Sequence, residues 1–477
     1  MMRSLYSGVS GLQNHQVRMD VIGNNISNVN TTGFKKGRVN FQDLLSQNMR
    51  GTARPTDQLG GVNPQQVGLG ANIASIDTLH SQGSLQTTGN KTDLAIQGSG
   101  MFVMRSGDQE FFTRNGVFSL DSEGVLVNPA NGMRVQGWQA QVVDGESVVN
   151  TSESIGDLQI PVGGKDPARA TSLVEIASNL NKNTPVIGDD ATDREIQQGT
   201  WSTSYDVYDS FGNTHELRVS YTRDPDVPNQ WIGSVEVNPN EEGITPQISI
   251  GGIASGEGEN TFIVQFDNAG TLASISHGAG GLIEEGDLTM DVSFQVPETA
   301  IPDVIDPEEV DPEFVGQPGD EITQTMTLQL GRVGAFENST TQYSSESSNK
   351  VFRQNGYGMG YLEDFRVDQS GQITGVYSNG TNRALGQVAL ASFVNPGGLE
   401  KIGETSFRTT INSGDPDIGP AGTMGKGQFI AGALEMSNVD LSAEFTDMIV
   451  TQRGFQANSK TIQTTDQMLQ EVLTLKR

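Results

Sequence analysis

A multidomain chain is predicted, with β-rich middle domains and an α-helical arm at each end. Three observations carry this reading. All 18 prolines fall between Pro55 and Pro420, so neither end holds the residue that breaks helices. Apolar residues recur at heptad spacing in both ends. Between them, short apolar runs alternate with turns in a chain of 58 glycines and only 18% charged residues.

The N-terminal arm, 1–30, comes first. Leu5, Val9, Leu12, Gln16, Met19, Gly23 and Ile26 step by 4, 3, 4, 3, 4, 3, and Ile22 and Val29 widen the stripe. The C-terminal arm, 437–477, repeats the pattern with Phe445, Met448, Gln452, Phe455, Ser459, Ile462, Asp466, Leu469 and Leu473. Gln16, Gly23, Gln452, Ser459 and Asp466 interrupt the seam and weaken a lone two-stranded coil. Gly, Ser, Asn and Val lower the first arm's helicity by about 0.5–1 kcal/mol each relative to Ala. Such arms gain order from partners, which predicts a coiled-coil-like layer formed on assembly. The plainer alternative is two ordinary amphipathic helices, each packed on its own domain.

The first arm ends in "VIGNNISNVNTTGFKK", with four asparagines. Asn and Gly tolerate left-handed backbone, so Asn28, Asn30 and Gly33 mark a helix exit, and Phe34 with Lys35-Lys36 begins a linker over 31–75. Asn24 and Asn25 lie inside the periodic run. The plain reading is that they cap their own helix locally.

The stretch from Met101 to Trp138 reads as a meander broken at Gly107-Asp108, Asn115-Gly116, Glu123-Gly124 and Asn131-Gly132. "YLEDFRVDQSGQITGVYSNGTNRALGQVALASF" returns to the same texture. These stretches form a split β domain, 76–163 and 348–424, followed by a linker over 425–436. Inside it sits an inserted β domain, 164–347, where "WSTSYDVYDSFGNTHELRVSYTRDPDVPNQWIGSVEV" reads as three strands with turns near Phe211-Gly212-Asn213 and Asp224-Pro225. A nested insertion of this kind brings both termini to one place.

The formal charge is −29, which excludes a nucleic-acid surface. Between Gly164 and Ser347 there are 32 acidic and 7 basic residues, so the inserted domain holds nearly all of the excess. Absent cysteine excludes disulfides and thiolate metal sites. The opening residues lack the apolar block of a signal peptide, and no run is apolar for the roughly 18 residues of a membrane span. His15, His80, His215 and His277 show no metal spacing and read as surface or interface residues. The glycines at Gly98 and Gly100 lack the rest of a phosphate loop. The acidic run from Asp303 to Phe314 lacks the order of a calcium loop. No nucleophile–base pair stands out. An enzyme is not expected, and neither a cofactor nor a metal is implied.

"NNISNVNTTGFKK", "TDLAIQGSGMFVM" with "FTRNGVFSLDSEGVLVNPANGMRVQGW", and the tail from "AGALEMSNVDLSAEFTDMIVTQRGFQANSK" onward resemble, in order, the signature blocks of the bacterial flagellar rod and hook proteins. "YDVYDSFGNTHELRVSYT" and "FIVQFDNAGTLASI" in the insertion resemble the outer domain of the hook members. The resemblance implies a structural subunit polymerising into a curved, flexible tube that passes torque from motor and rod to filament. It implies an inner helical layer, type III export without a cleaved leader, and a place outside the cytoplasmic membrane. Its implied partners are copies of itself, the distal rod, the hook cap, the hook-filament junction proteins and the export apparatus, with neither nucleic acid nor a membrane span. The polymerisation seam then takes Leu5, Val9, Leu12, Met19, Ile22, Asn24, Asn25 and Ile26 in one arm. It takes Phe445, Met448, Phe455, Ile462, Leu469 and Leu473 in the other. A distal rod subunit, or a secreted acidic binding or adhesin-like protein, is the alternative.

"GGKDPARATSLVEIASNLN" resembles the region where spirochaete hook subunits become cross-linked, by a cysteine that loses sulfide and a lysine that adds to the product. The resemblance implies Lys165 as nucleophile and a periplasmic location. Ser178 stands at the cysteine's position. Hydroxide is a much poorer leaving group than sulfide, so no efficient cross-link is expected.

Overall fold

The structure is a computed structural model. It describes residues 2–475 apart from 53, 55–59, 62, 144–145, 189–190, 240–245, 257–258, 279 and 297–322. The chain divides into two units. One takes Met1–Val162, Glu363–Val376 and Asn382–Arg477; the other takes Gly163–Leu362 and Tyr377–Thr381. The β-rich middle and the terminal helices α1 (Met2–Ser27) and α3 (Leu441–Leu475) match the predicted fold class. A further short helix, α2 (Asp193–Gly199), lies in the second unit, with Thr192 and Glu195 closing its first turn.

In the first unit, hairpin Met101–Ser106/Gln109–Thr113 turns at Gly107, which is left-handed at φ +60°. Strand Arg134–Val143 lies beside it and pairs in turn with Asn382–Val388 through Gly137 to Gln139. Residues nearly 250 apart in sequence thus share one sheet, which is what splits the domain. Its core gathers Val103, Phe112, Trp138 and Phe407, with Phe102 stacked on Phe429 at 5.7 Å. Asn115-Gly116 is not a hairpin. A Cβ on Gly116 would meet the Leu94 carbonyl oxygen at 1.6 Å, so this glycine serves close backbone approach.

The second unit stacks two sheets over one core. Thr200–Tyr208, Thr214–Arg223 and Gln230–Val237 form a meander in one sheet, their side chains alternating between core and surface. The other sheet places Leu173–Asn181 parallel to Thr323–Arg332. Trp231, Tyr221 and Phe262 are fully buried between them. Ser348–Gln354 pairs antiparallel with Leu173–Asn181, so residues beyond 347 belong to this unit rather than to the split domain. The acidic run Asp303–Phe314 lies outside the described residues.

The stretch 31–75, predicted as linker, is largely strand. Gly37–Asp43 pairs antiparallel with Ala71–Thr78, and Ser46–Arg50 with Gln65–Gly68, making one long two-stranded ribbon. Residues 425–436 are strand as well. Gln428–Ala431 pairs with Leu94–Gln97, and Ala433–Glu435 with Leu85–Thr87. Both linkers carry their pairing partners far away or across a long intervening stretch, which local pattern does not reveal.

Candidate functional site: the paired arms and their root

Helix α3 begins where Asp440 accepts hydrogen bonds from the backbone N–H of Ser442 and Ala443, at 2.9 and 3.3 Å. Helix α1 ends where the Asn28 N–H returns to the Asn24 carbonyl at 3.2 Å and the Asn28 amide does so at 2.9 Å. The two helices lie antiparallel. Gly8 faces Ile462, Gly11 faces Asn458, His15 lies over Gly454, Arg18 pairs with Asp447 at 3.3 Å, and Asn25 donates to Glu444 at 3.1 Å.

This intrachain seam is not the predicted apolar one. On α1 it follows 8, 11, 15, 18 and 25, one residue before the row at 9, 12, 16, 19 and 26. On α3 the buried residues Glu444, Thr451 and Thr465 likewise precede Phe445, Gln452 and Asp466 by one. Glycines at 8, 11 and 454 explain the offset, because helices without a Cβ at the crossing approach closely. A Cβ on Gly454 would lie 2.7 Å from His15 Nε2, and one on Gly11 2.5 Å from Asn458 Nδ2. Most of the apolar row lies off this seam, although Ile462 packs on Gly8 within it. Phe445 is 50% and Leu473 68% exposed, Val9 is exposed, and Leu5, Leu12, Met19, Ile26, Met448, Phe455, Ile462 and Leu469 are half-covered. Ile22 is buried. Asn24 is exposed, whereas Asn25 is buried within the chain, donating to the Gly37 carbonyl and accepting from the Gly37 N–H, both at 2.9 Å.

Below the helices, the exit segment is threaded through the split β unit. Glu435 is fully buried and accepts from Lys35 Nζ at 2.6 Å, Arg114 Nη1 at 3.0 Å and the Gly83 N–H at 2.8 Å. Its own carbonyl accepts from the Gly33 N–H at 2.7 Å. Gly33 is left-handed at φ +68°, and a Cβ there would meet Asn115 N at 2.5 Å. Phe34 is buried beneath Lys401, whose Nζ lies 4.2 Å from the ring centroid. Asn438 accepts from the Lys36 N–H and donates to the Leu79 carbonyl, each at 2.8 Å. Lys35, read as the start of a solvated linker, is therefore a buried structural cation. Burial pushes its ammonium and the Arg114 guanidinium below their usual ranges, against the pull of Glu435. Little in the sequence marks Glu435, a lone acid between apolar residues in "AGALEMSN".

His80 borders this cluster, its ring 5.3 Å from Phe407. Burial first, then the charges of Lys35 and Arg114, lower its pKa to about 4. The other histidines are placed separately. His15 lies in the arm seam, His215 is buried with Nε2 3.1 Å from Asp209, and His277 is buried with Nε2 2.8 Å from the Ile253 carbonyl. The last two are not the surface residues expected, because each is itself buried with a polar partner in reach. No group of three His, Asp or Glu is placed to hold a metal among the described residues. Lys165 is exposed on a strand paired with Tyr361. Ser178 is buried and donates to Thr340 Oγ1 at 2.9 Å. Among the described residues, no helix is long and apolar enough to cross a membrane.

Four family models match the chain in order. They are described as Flagella basal body rod protein (5–35), Flagellar hook protein FlgE/F/G D1 domain (95–178), Flagellar basal body protein FlaE D2 domain (179–357) and Flagellar basal body rod FlgEFG protein C-terminal (430–475). Paired terminal helices on a split β unit, with these matches, define an axial structural protein of the bacterial flagellum. The flagellar hook protein FlgE of Treponema pallidum is 54% identical, and that of Borreliella burgdorferi 50%, each over 100% of both chains. That of Salmonella typhimurium is 29% identical over 99% of this chain and 100% of its own. This chain belongs to the flagellar hook protein FlgE family, in its spirochaete branch. It is a structural subunit of the flagellar hook, not an enzyme, and it polymerises into the hook. A solved structure, the Helicobacter pylori flagellar hook protein FlgE2, matches with 16% identity and a TM-score of 0.47, covering 74% of this chain and 100% of that one.

Gly23 is exposed within α1 with open space about it, so Gly23→Ala is expected to stabilise the helix by about 0.5–1 kcal/mol. Gly33→Ala meets both a left-handed backbone and a backbone clash, and is expected to destabilise the arm root by about 1–3 kcal/mol or more. Thermal melts of the full chain, followed at the helix band, should move in opposite directions. For His80, the folded pKa of about 4 lies below the ordinary 6.5, so the unfolded chain binds the extra proton. The neutral ring's contribution is complete above pH 6.5 and lost as pH falls to about 4, by up to about 3 kcal/mol. His80→Gln should flatten the dependence of melting temperature on pH within that window. An unchanged slope would mean that the ring is not held neutral.

Proposed function

We propose that the outward apolar rows of the arms are the polymerisation seam, and that the polymer they hold is a curved, flexible tube coupling rod to filament. The observation that carries this is the one-residue offset. The chain pairs its own helices mainly through glycines and polar side chains, and leaves Phe445 and Leu473 of the apolar row open, with Ile449, Val450, Met468 and Val472 exposed beside it. Full burial of such side chains contributes about 1.5–3 kcal/mol each, so a few per copy suffice to drive association. The two-stranded ribbon beside α1 supports the reading. Leu44, Leu45 and Met49 are more than half exposed on it, and a ribbon without a covered face is marginal in water. On kinship with the family we further propose type III export, a periplasmic hook, and contacts at the tube ends with distal rod, cap and junction proteins.

Phe445→Asp with Ile449→Asp should leave the monomer's melt unchanged and abolish tubes under negative-stain electron microscopy. A chain without either arm should also form none. Tubes from the armless chain or from the double variant would refute the seam. Ser178, buried and carrying a poor leaving group, should not join Lys165. Purified hooks are expected to run as monomers after boiling in SDS, and a ladder of resistant multimers would overturn this.

A further inference from the structure

One excursion of the split β unit, 394–411, is tied together by its own hydrogen bonds. Strand Glu400–Gly403 ends its sheet, is exposed throughout, and pairs on one side only, with Ser406–Arg408. The residues joining the strands, Glu404 and Thr405, are left-handed at φ +50° and +58°, a costly conformation for a β-branched threonine. They are held there. Thr113 Oγ1 donates to the Thr405 carbonyl at 2.9 Å, and Phe407 beneath is buried in the core. The flanking loops are locked together as well. Asn395 donates to the Asn412 carbonyl at 3.0 Å, Thr410 Oγ1 to the Gly398 carbonyl at 2.6 Å, and the buried Ser413 hydroxyl to the Thr410 carbonyl at 2.8 Å. Yet this frame presents Val394 at 96% and Ile411 at 106% exposure, with Ile402 half exposed on the open strand.

Thr405, Ser406 and Ser413 turn inward, while Val394, Ile402 and Ile411 are left exposed among the charged and polar residues of the surface. A surface already ordered loses little entropy on docking. Glu400 and Arg408 pair across the hairpin at 2.7 Å, leaving both signs of charge side by side. A mixed patch on a chain of net charge −29 is where another equally acidic molecule can approach. We propose that hairpin 394–411 is a rigid docking surface for a second copy of this chain, with Val394 and Ile411 as its apolar contacts and strand 400–403 as its open edge. The proposal rests on polymerisation but not on the arms being the seam, and the two are separable.

The chain has no cysteine, so single substitutions report one position at a time. Val394→Cys, Ile411→Cys and, for the arms, Phe445→Cys are labelled with maleimide in isolated hooks and in dissociated monomers. Reaction at 394 and 411 should be at least about tenfold slower in hooks, as at a water-excluded contact. A benzophenone maleimide placed at either position should photo-cross-link two copies into a dimer. Equal labelling in hooks and monomers at 394 and 411, with Phe445→Cys protected, overturns the hairpin and keeps the arms. The converse overturns the arms alone. A cross-link to any other protein overturns the second copy as occupant. If a cysteine variant forms no hooks, Val394→Asp with Ile411→Asp decides: an unchanged melt with lost assembly supports the docking surface, and normal hooks refute it.

Discussion

The buried carboxylate of Glu435 is the constraint on which the rest of the first unit depends. One side chain holds Lys35 at the foot of α1, Arg114 in the split sheet and the Gly83 backbone, while the same residue's carbonyl holds Gly33. Four segments, up to 402 positions apart in the chain when Gly33 is counted, meet at one acid. Burial depresses both cations and the neighbouring imidazole, and the charge of Arg114 adds to this at Lys35, as the charges of Lys35 and Arg114 do at His80. Replacing a buried pair with apolar residues is often neutral, but removing one partner leaves the others uncompensated. The knot therefore fixes where the arms leave the body more than it adds to stability. Only with both exits fixed at one point can helices from opposite ends of the chain meet.

Once they meet, the helices divide their faces. Gly8, Gly11 and Gly454 remove Cβ atoms at the crossing, so the pair closes through His15, Asn458, Asn25 and Glu444. A polar seam contributes little apolar burial, and it specifies register because a slip would strand buried amides and a carboxylate. Much of the apolar row one position further round stays exposed or half-covered, which is what the proposed seam between copies uses. Had the chain paired through its apolar rows, the same residues could not serve both the monomer and the polymer.

The sequence shows some of this and hides the rest for identifiable reasons. The absence of proline and the 3, 4 spacing reveal both helices, and Asn28 closes the first within two residues of the last periodic apolar position, Ile26. The same spacing points to the wrong intrachain face. Periodicity reports which row is apolar, and it does not report which row is small enough for close approach. Gly8 and Gly11 enter the sequence reading only as lowered propensity, and Gly454 does not enter it at all. Gly107 turned its hairpin as read, whereas Gly116 serves a close approach to Leu94. The ribbon of 37–78 and the strands of 428–435 escaped because their partners are remote, and register between remote strands leaves no local trace. The Glu435 cluster escaped for the same reason: its members look unremarkable until the fold removes water from all of them.

Charge adds a last constraint on how such a chain can polymerise. The excess of acid lies between Gly164 and Ser347, while the sequence bearing the arms, the root and hairpin 394–411 is nearly balanced. Like-charged surfaces repel until screened, over roughly 8 Å at physiological ionic strength. Acidic bodies in neighbouring copies then oppose close contact, and attraction has to come from the balanced part of the chain. On the proposed seam, a polymer held at its balanced arms and kept apart at its acidic bodies resists collapse of neighbouring bodies onto one another while its seams stay closed. For a hook subunit that combination is the useful one, because bending changes the spacing between bodies and must not open the seams.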